Sequence, residues 1–278
     1  MRSATSFTGQ RVVITGGSSG LGLVLGRRLA ADGARVALVA RDPDRLERAR
    51  ASIAAAFPSA TVLAAHGDVV DATVLPGAIA ALAAELGGID ILINSAGILR
   101  EGYFEHCPEA MFREVMEINY FGVLNATRSA LPHLKRAHGK LVNIASIGGL
   151  AGVFGYTAYN ASKFAVVGLT EALRYELTPQ GVSVHLVCPP EFDSPMVAAL
   201  DASRTPENRA HTLTIPKHTV ETIAGRTLRG VARGQFLTVP GSRARVAVAF
   251  MRQLPGATRA LGDARVRRVY QGPTREKQ

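Results

Sequence analysis

The stretch RVVITGGSSGLGLVLGRRLAADG, Arg11 to Gly33, decides the fold. RVVIT reads as a short apolar strand. TGGSSGLG follows as a glycine-rich turn, and LGLVLGRRLAADG carries apolar residues at helical spacing up to a closing Gly33. Strand, glycine turn and helix in that order form the setting that a dinucleotide's pyrophosphate requires. Gly16, Gly20 and Gly22 permit a tight bend and close backbone approach, and Ser18 and Ser19 offer hydrogen bonds. The helix that opens at Leu21 turns its N-terminus toward negative charge.

The same alternation continues outward from this unit. RVALVA (35–40), TVLAAHGDV, IDILINSAG, KLVNIAS, VSVHLV and a short QFLTVPG read as further strands. Helical patterns separate them, including VVDATVLPGAIAALAAEL and one long helix over 108–137. Strands alternating with helices over residues 11–238 imply a single doubly wound α/β domain, its parallel sheet covered on both faces. A chain of 278 residues with 47% hydrophobic and 19% charged residues can bury one full core, and no linker, repeat or low-complexity tract divides it.

Composition narrows the function classes. Cys107 and Cys188 read as reduced thiols, and seven scattered histidines show no metal-ligand spacing, so no metal is expected. The segment MRSATSFTGQR lacks an apolar leader core, and no apolar run reaches bilayer length, which suits a cytoplasmic protein and leaves peripheral membrane attachment open. The formal charge is +10, with nine Lys or Arg from Gly234 onward (Arg243, Arg245, Arg252, Arg259, Arg265, Arg267, Arg268, Arg275, Lys277) against Asp263 and Glu276. Nucleic-acid binding would rest on this charge alone, without interleaved aromatics, and is not expected. The tail VAVAFMRQLPGATRALG mixes apolar side chains with arginines; it packs on the domain, joins a second subunit, or meets an anionic membrane surface.

The chemistry-bearing residues are further along. In AYNASKFAVVGLTEALRYEL, a helix expected to end near Leu177 before Pro179, Tyr159 and Lys163 emerge one turn apart on one face. A phenol near pKa 10 is a poor acid or base at neutral pH, and a neighbouring ammonium lowers that value. Ser146, at the end of KLVNIA, would sit at a strand's mouth facing this helix. The three together suit moving a proton to or from a carbonyl oxygen. The pair alone reads equally as a partly exposed tyrosine beside a solvated amine, and Asn119, inside a long helix, as a satisfied core amide.

TGGSSGLG, NSAG and Ser146 with YNASK, in this order, resemble the classical short-chain dehydrogenase/reductase family over roughly residues 8–240, leaving 241–278 as a basic, partly apolar extension. The resemblance implies a Rossmann-like fold and hydride transfer between a nicotinamide and a ketone or secondary alcohol. In it Tyr159 passes the proton, Ser146 polarises the oxygen, Lys163 lowers the Tyr159 pKa and binds the nicotinamide ribose, and the backbone of Asn119 helps hold a water beside Lys163. It sets Asp68 and Val69 at the adenine, Asn94, Ala96 and Gly97 beside the cofactor, and Pro189, Phe192 and Ser194 around the nicotinamide. Relatives usually carry Pro-Gly where this chain has Pro189–Pro190. Arg41 favours NADPH, because its guanidinium pairs with a 2′-phosphate; Asp42 either opposes this or caps the helix that starts at Pro43. Residues 195–217, polar and poorly periodic, read as a substrate lid, and the helices bearing Asn119 and Tyr159 imply a homodimer or homotetramer. Within the family, GLAGVFGYTAYNASKFAVVGLTEALRYEL, PPEFDSP and ALVARDPDRLE resemble the branch that reduces the 3-keto group of long-chain sphingoid bases with NADPH. Another lipid, steroid or 3-oxoacyl substrate is the alternative, as is a non-catalytic nucleotide-binding scaffold.

Overall fold

The computed structural model describes residues 7–212 and 216–271. Among these residues the strands are β1 (Arg11–Thr15), β2 (Arg35–Ala40), β3 (Val62–His66), β4 (Ile91–Asn94), β5 (Lys140–Ile144), β6 (Ser183–Val187) and β7 (Leu237–Thr238). They form one parallel sheet in the order β3-β2-β1-β4-β5-β6-β7. The helices are α1 (Gly20–Ala31), α2 (Pro43–Ala56), α3 (Leu75–Leu86), α4 (Glu109–Met116), α5 (Gly122–Ala137), α6 (Thr157–Leu177), α7 (Pro195–Ser203), α8 (Pro206–Thr212), α9 (Val220–Ala232), α10 (Ser242–Gln253) and α11 (Pro255–Tyr270).

The opening stretch folds as its pattern requires. Successive β1 side chains point to opposite faces: Val12 and Ile14 enter the core beneath α1, α2 and α9, while Val13 enters the one beneath α3, α5 and α6. Covering both faces removes any polar side from the strand, which explains its unbroken apolar run. α1 ends just before Gly33, whose φ of +80° is the left-handed conformation that stops a helix at little cost. The strand order reverses between β1 and β4, so the glycine turn after β1 and the NSAG turn after β4 flank a crevice at the strands' carboxyl ends. Both cysteines are free thiols.

Two expectations are corrected. The helix expected from Val69 starts at Leu75, because Asp71 Oδ1 accepts from Thr73 N (2.9 Å) and Val74 N (3.0 Å) and holds the preceding residues in a turn. The single helix over 108–137 is α4 and α5 separated by a π-helical turn, Glu117–Phe121, centred on Asn119. The polar stretch after residue 194 forms α7 and α8. Arg204 is fully buried there, its Nη2 2.7 Å from Glu191 Oε1 and 3.2 Å from Asp201 Oδ1, so its charges are paired inside the fold rather than solvated.

Beyond β7, α10 sends Ala244 and Val248 into a third core cluster, and α11 packs on α8. The arginines of these helices, apart from the half-buried Arg265, stay exposed; Arg275 and Lys277 lie outside the described residues.

Candidate active site

β1 delivers Thr15, whose Oγ1 accepts from Ser95 N (3.2 Å) and Ala96 N (3.4 Å) and ties the glycine turn to the NSAG turn. These turns meet backbone to backbone. A Cβ on Gly16 would lie 2.7 Å from Ala96 N, and one on Gly22 would collide with the Gly16 carbonyl oxygen. Ser19 is the N-cap of α1, its side chain makes no capping bond, and no acidic residue stands in the first turn. The first N–H groups of α1 are therefore open to an anion at the positive end of the helix. A dinucleotide's pyrophosphate fits this helix N-terminus by its chemistry.

A cavity of 280 Å³ lies against it. Among the expected site residues, Gly16, Ser19, Gly20, Leu21, Ala96, Gly97, Ser146, Tyr159, Lys163, Pro189, Phe192 and Ser194 line this cavity. Ser18, Gly22, Arg41, Asp68, Val69, Asn94 and Asn119 do not. Arg41 stands exposed beyond the end of β2, while Asp42 Oδ1 accepts from Arg45 N (2.9 Å) and caps α2. Val69 is buried against Gly122, and Asp68 Oδ1 accepts from Val70 N. Asn94 sits one layer behind the crevice in a buried ladder across the sheet: its Nδ2 donates to Thr127 Oγ1 (3.0 Å) and Asn143 Oδ1 (2.9 Å), and Asn143 Nδ2 donates to Thr170 Oγ1 (2.9 Å). The Ser194 hydroxyl accepts from Val197 N (3.2 Å) and caps α7.

At the mouth of β5, Ser146 Oγ accepts from Gly148 N (3.0 Å) and stands beside the Tyr159 hydroxyl. Asn160, unremarked in the sequence, positions that loop by donating to the Gly148 and Ala151 carbonyls (2.7 Å each). Lys163 is buried, and its Nζ donates to the Ile144 carbonyl (3.1 Å), 5.7 Å from the centre of the Tyr159 ring. Asn119 Oδ1 accepts from Ile98 N (2.8 Å), and its Nδ2 donates to the Ile98 carbonyl and to Ser162 Oγ (2.9 Å each), so its side chain pins the turn after β4 to α6.

The electrostatics depart from expectation. Burial pushes the Tyr159 phenol up to about 12 against the opposing Ser146 hydroxyl, and burial pushes Lys163 down to about 8. Proximity at one-turn spacing does not depress the phenol here, because both groups are desolvated and the ammonium is drawn to a carbonyl. Two further cavity residues escaped the sequence reading. Tyr156 Oη donates to Glu191 Oε1 (3.2 Å), and Glu191 Oε2, also buried, has no partner among the described residues. No group of metal-ligating side chains occurs among the described residues.

Over residues 10–205 the chain matches the family described as short chain dehydrogenase. The 3-ketodihydrosphingosine reductase of Bos taurus is 35% identical over 238 residues, 84% of this chain and 72% of that one. The levodione reductase of Leifsonia aquatica is 35% identical over 206 residues, 73% of this chain and 77% of that one. Among solved structures, levodione reductase superposes with a TM-score of 0.78 at 28% identity, covering 86% of this chain and 99% of that one. A short chain dehydrogenase/reductase from Burkholderia phymatum in complex with NAD gives 0.79 at 25% identity, covering 89% and 94%. With this crevice, this cradle and these matches, the chain belongs to the short-chain dehydrogenase/reductase family and is an NAD(P)-dependent oxidoreductase.

Proposed function

We propose that this chain reduces the 3-keto group of a long-chain sphingoid base to the secondary alcohol, with NADPH as reductant. The general reaction, ketone to alcohol, is that of the family; the substrate is argued from Glu191. A sphingoid ketone carries an ammonium beside its carbonyl. Glu191 lines the cavity near Tyr159 with one oxygen unpartnered among the described residues, and a substrate ammonium would supply that partner in a charge-assisted bond. The likeness to the 3-ketodihydrosphingosine reductases of Bos taurus and Mus musculus supports the same substrate.

In this reading bound NADPH supplies the hydride to the carbonyl carbon. Tyr159 Oη gives its proton to the carbonyl oxygen, and Ser146 donates a hydrogen bond to that oxygen as charge develops on it. Lys163 binds the nicotinamide ribose and returns a proton toward Tyr159. Asn119 acts as a positioning residue through Ile98 and Ser162. Of the expected lid at 195–217, of which 213–215 lie outside the described residues, α7 and α8 cover the substrate, Met196 and His211 reaching the cavity wall; the chain assembles as a dimer or tetramer. Among the described residues no helix is long and apolar enough to cross a membrane; the exposed arginines with Val246, Phe250 and Leu254 on the tail suit peripheral contact with an anionic surface.

The test is NADPH oxidation by purified protein with 3-ketodihydrosphingosine in detergent, beside an amine-free ketone of equal length, a steroid ketone and a 3-oxoacyl thioester. The amino ketone should exceed its amine-free counterpart about tenfold or more in kcat/KM. Equal rates remove Glu191 from the reading, and turnover confined to the steroid or thioester removes the sphingoid substrate.

The NADPH preference rests on Arg41, because Asp42 is committed to its cap and the exposed Arg41, just past the end of β2, is the group that would pair with a 2′-phosphate. Arg41→Ala should raise KM for NADPH about tenfold or more while moving that for NADH less than about twofold. Equal shifts would exclude the phosphate contact.

A further inference from the structure

The active-site cavity has a neighbour. A second cavity of 770 Å³ runs between the loop at Leu150–Phe154, Phe164 on α6, and α11, where Val266 and Tyr270 face it. The two cavities share Ala151, Gly152, His211, Met251 and Thr258 in their walls, so the space beside Tyr159 continues outward past α10 and α11. Its walls are largely apolar. Phe154 and Tyr270 meet edge to face in its wall at 6.3 Å, and burial holds the His211 imidazole pKa below its ordinary value, its Nδ1 accepting from Phe154 N (3.2 Å). Arg259, Asp263 and Arg267 line it as well and are exposed to solvent. Together the two spaces slightly exceed the upper end of the range of about 300–1,000 Å³ typical of ligand pockets, whereas the space beside the catalytic groups alone is small for a long-chain substrate.

We infer that the second cavity is an alkyl channel: it holds the hydrocarbon chain of the substrate while the ketone lies at Ser146 and Tyr159, and α11 forms its outer wall. The inference rests on the reductase reading above and names the part of the site that selects chain length. A straight chain leaving the cavity beside Tyr159 has this continuous route past Met251 and Thr258, flanked by Leu150, Phe154 and Val266. Each methylene withdrawn from water there strengthens binding about fourfold.

Calorimetric titration of the full-length protein with methyl ketones of increasing straight-chain length tests this, with NADPH turnover of the same ketones measured in parallel. In the parent, affinity should climb about fourfold per methylene until the channel is full. Val266→Trp fills the channel from α11. Phe164→Asp places a charge at its wall from a half-exposed position that does not hold the fold. Both variants should flatten the slope by about tenfold or more at the longest chain while leaving the shortest ketone within about twofold. A flat slope in the parent, or a steep one in both variants, overturns the channel. A steep slope in the parent without turnover of any ketone leaves the channel standing and overturns the reductase reading.

Discussion

Tyr159→Phe is expected to lower kcat for ketone reduction about a thousandfold while leaving NADPH affinity within about threefold. The phenol oxygen stands beside Ser146 and, in the proposed reaction, protonates a carbonyl there. Its ring packs edge to face on Tyr156 at 5.7 Å between centres, a contact that phenylalanine keeps. The cradle for the pyrophosphate, built from the glycine turn and α1, does not involve the ring. Fluorescence titration with NADPH and single-turnover rates separate the two effects, and a variant turning over near the parental rate would exclude the proton-donor role. The elevated phenol also sets a sign for pH. Below about 12 Tyr159 is protonated, the form that reduction needs, so its own titration leaves the reductive rate flat through neutral pH. Oxidation needs the phenolate and should gain about tenfold per pH unit through the alkaline range, as long as Tyr159 alone limits it. An oxidative rate independent of pH would show that another group takes the proton.

Lys163→Met should abolish turnover and yet stabilise the protein. Burial lowers the Lys163 ammonium from its ordinary 10.5 to about 8, so the fold pays for a buried charge at neutral pH. Between those values the unfolded chain binds more protons than the folded one, and stability therefore rises with pH across that window. The cost is fully present below about pH 8, is on the order of 3 kcal/mol, and is gone above about 10.5. Methionine removes it, forfeiting one hydrogen bond to the Ile144 carbonyl worth roughly 1 kcal/mol. A net gain of about 2 kcal/mol corresponds to a Tm about 4–8 °C higher at pH 7, a difference that should shrink toward pH 10. A variant less stable than the parent at pH 7 would mean that Lys163 is structural rather than retained for chemistry.

What the sequence discloses depends on whether a residue's partner is near in the chain. The β1 run, the glycine turn, the α6 spacing of Tyr159 and Lys163 and the sheet itself follow from local pattern. Thr15 bonds to Ser95 and Ala96, and Arg204 to Glu191, partners that no periodicity connects. Residues 195–217 read only as polar and poorly periodic, and nothing in that pattern discloses that Arg204, Glu207 and Asn208 are buried, Arg204 in an ion pair. The Tyr159–Lys163 spacing gives proximity but not burial, and burial decides both pKa values. A satisfied core amide is legible for Asn119, but its partners Ile98 and Ser162, and those of Asn94 at Thr127 and Asn143, lie too far off in the chain for any local pattern to name.

The π turn at Glu117–Phe121 acts as a phase corrector. In an unbroken α-helix Val115 and Thr127 would point about 120° apart, and both could not be inward. One extra residue absorbed in the wide turn cuts that to about 20°, and both are buried, Thr127 on the Asn94 amide. Deleting a single residue there would restore a more regular helix while rotating α4 off α6 and Asn119 away from Ile98. Regularity of the backbone and assembly of the site are in direct opposition at this turn, and the fold keeps the defect.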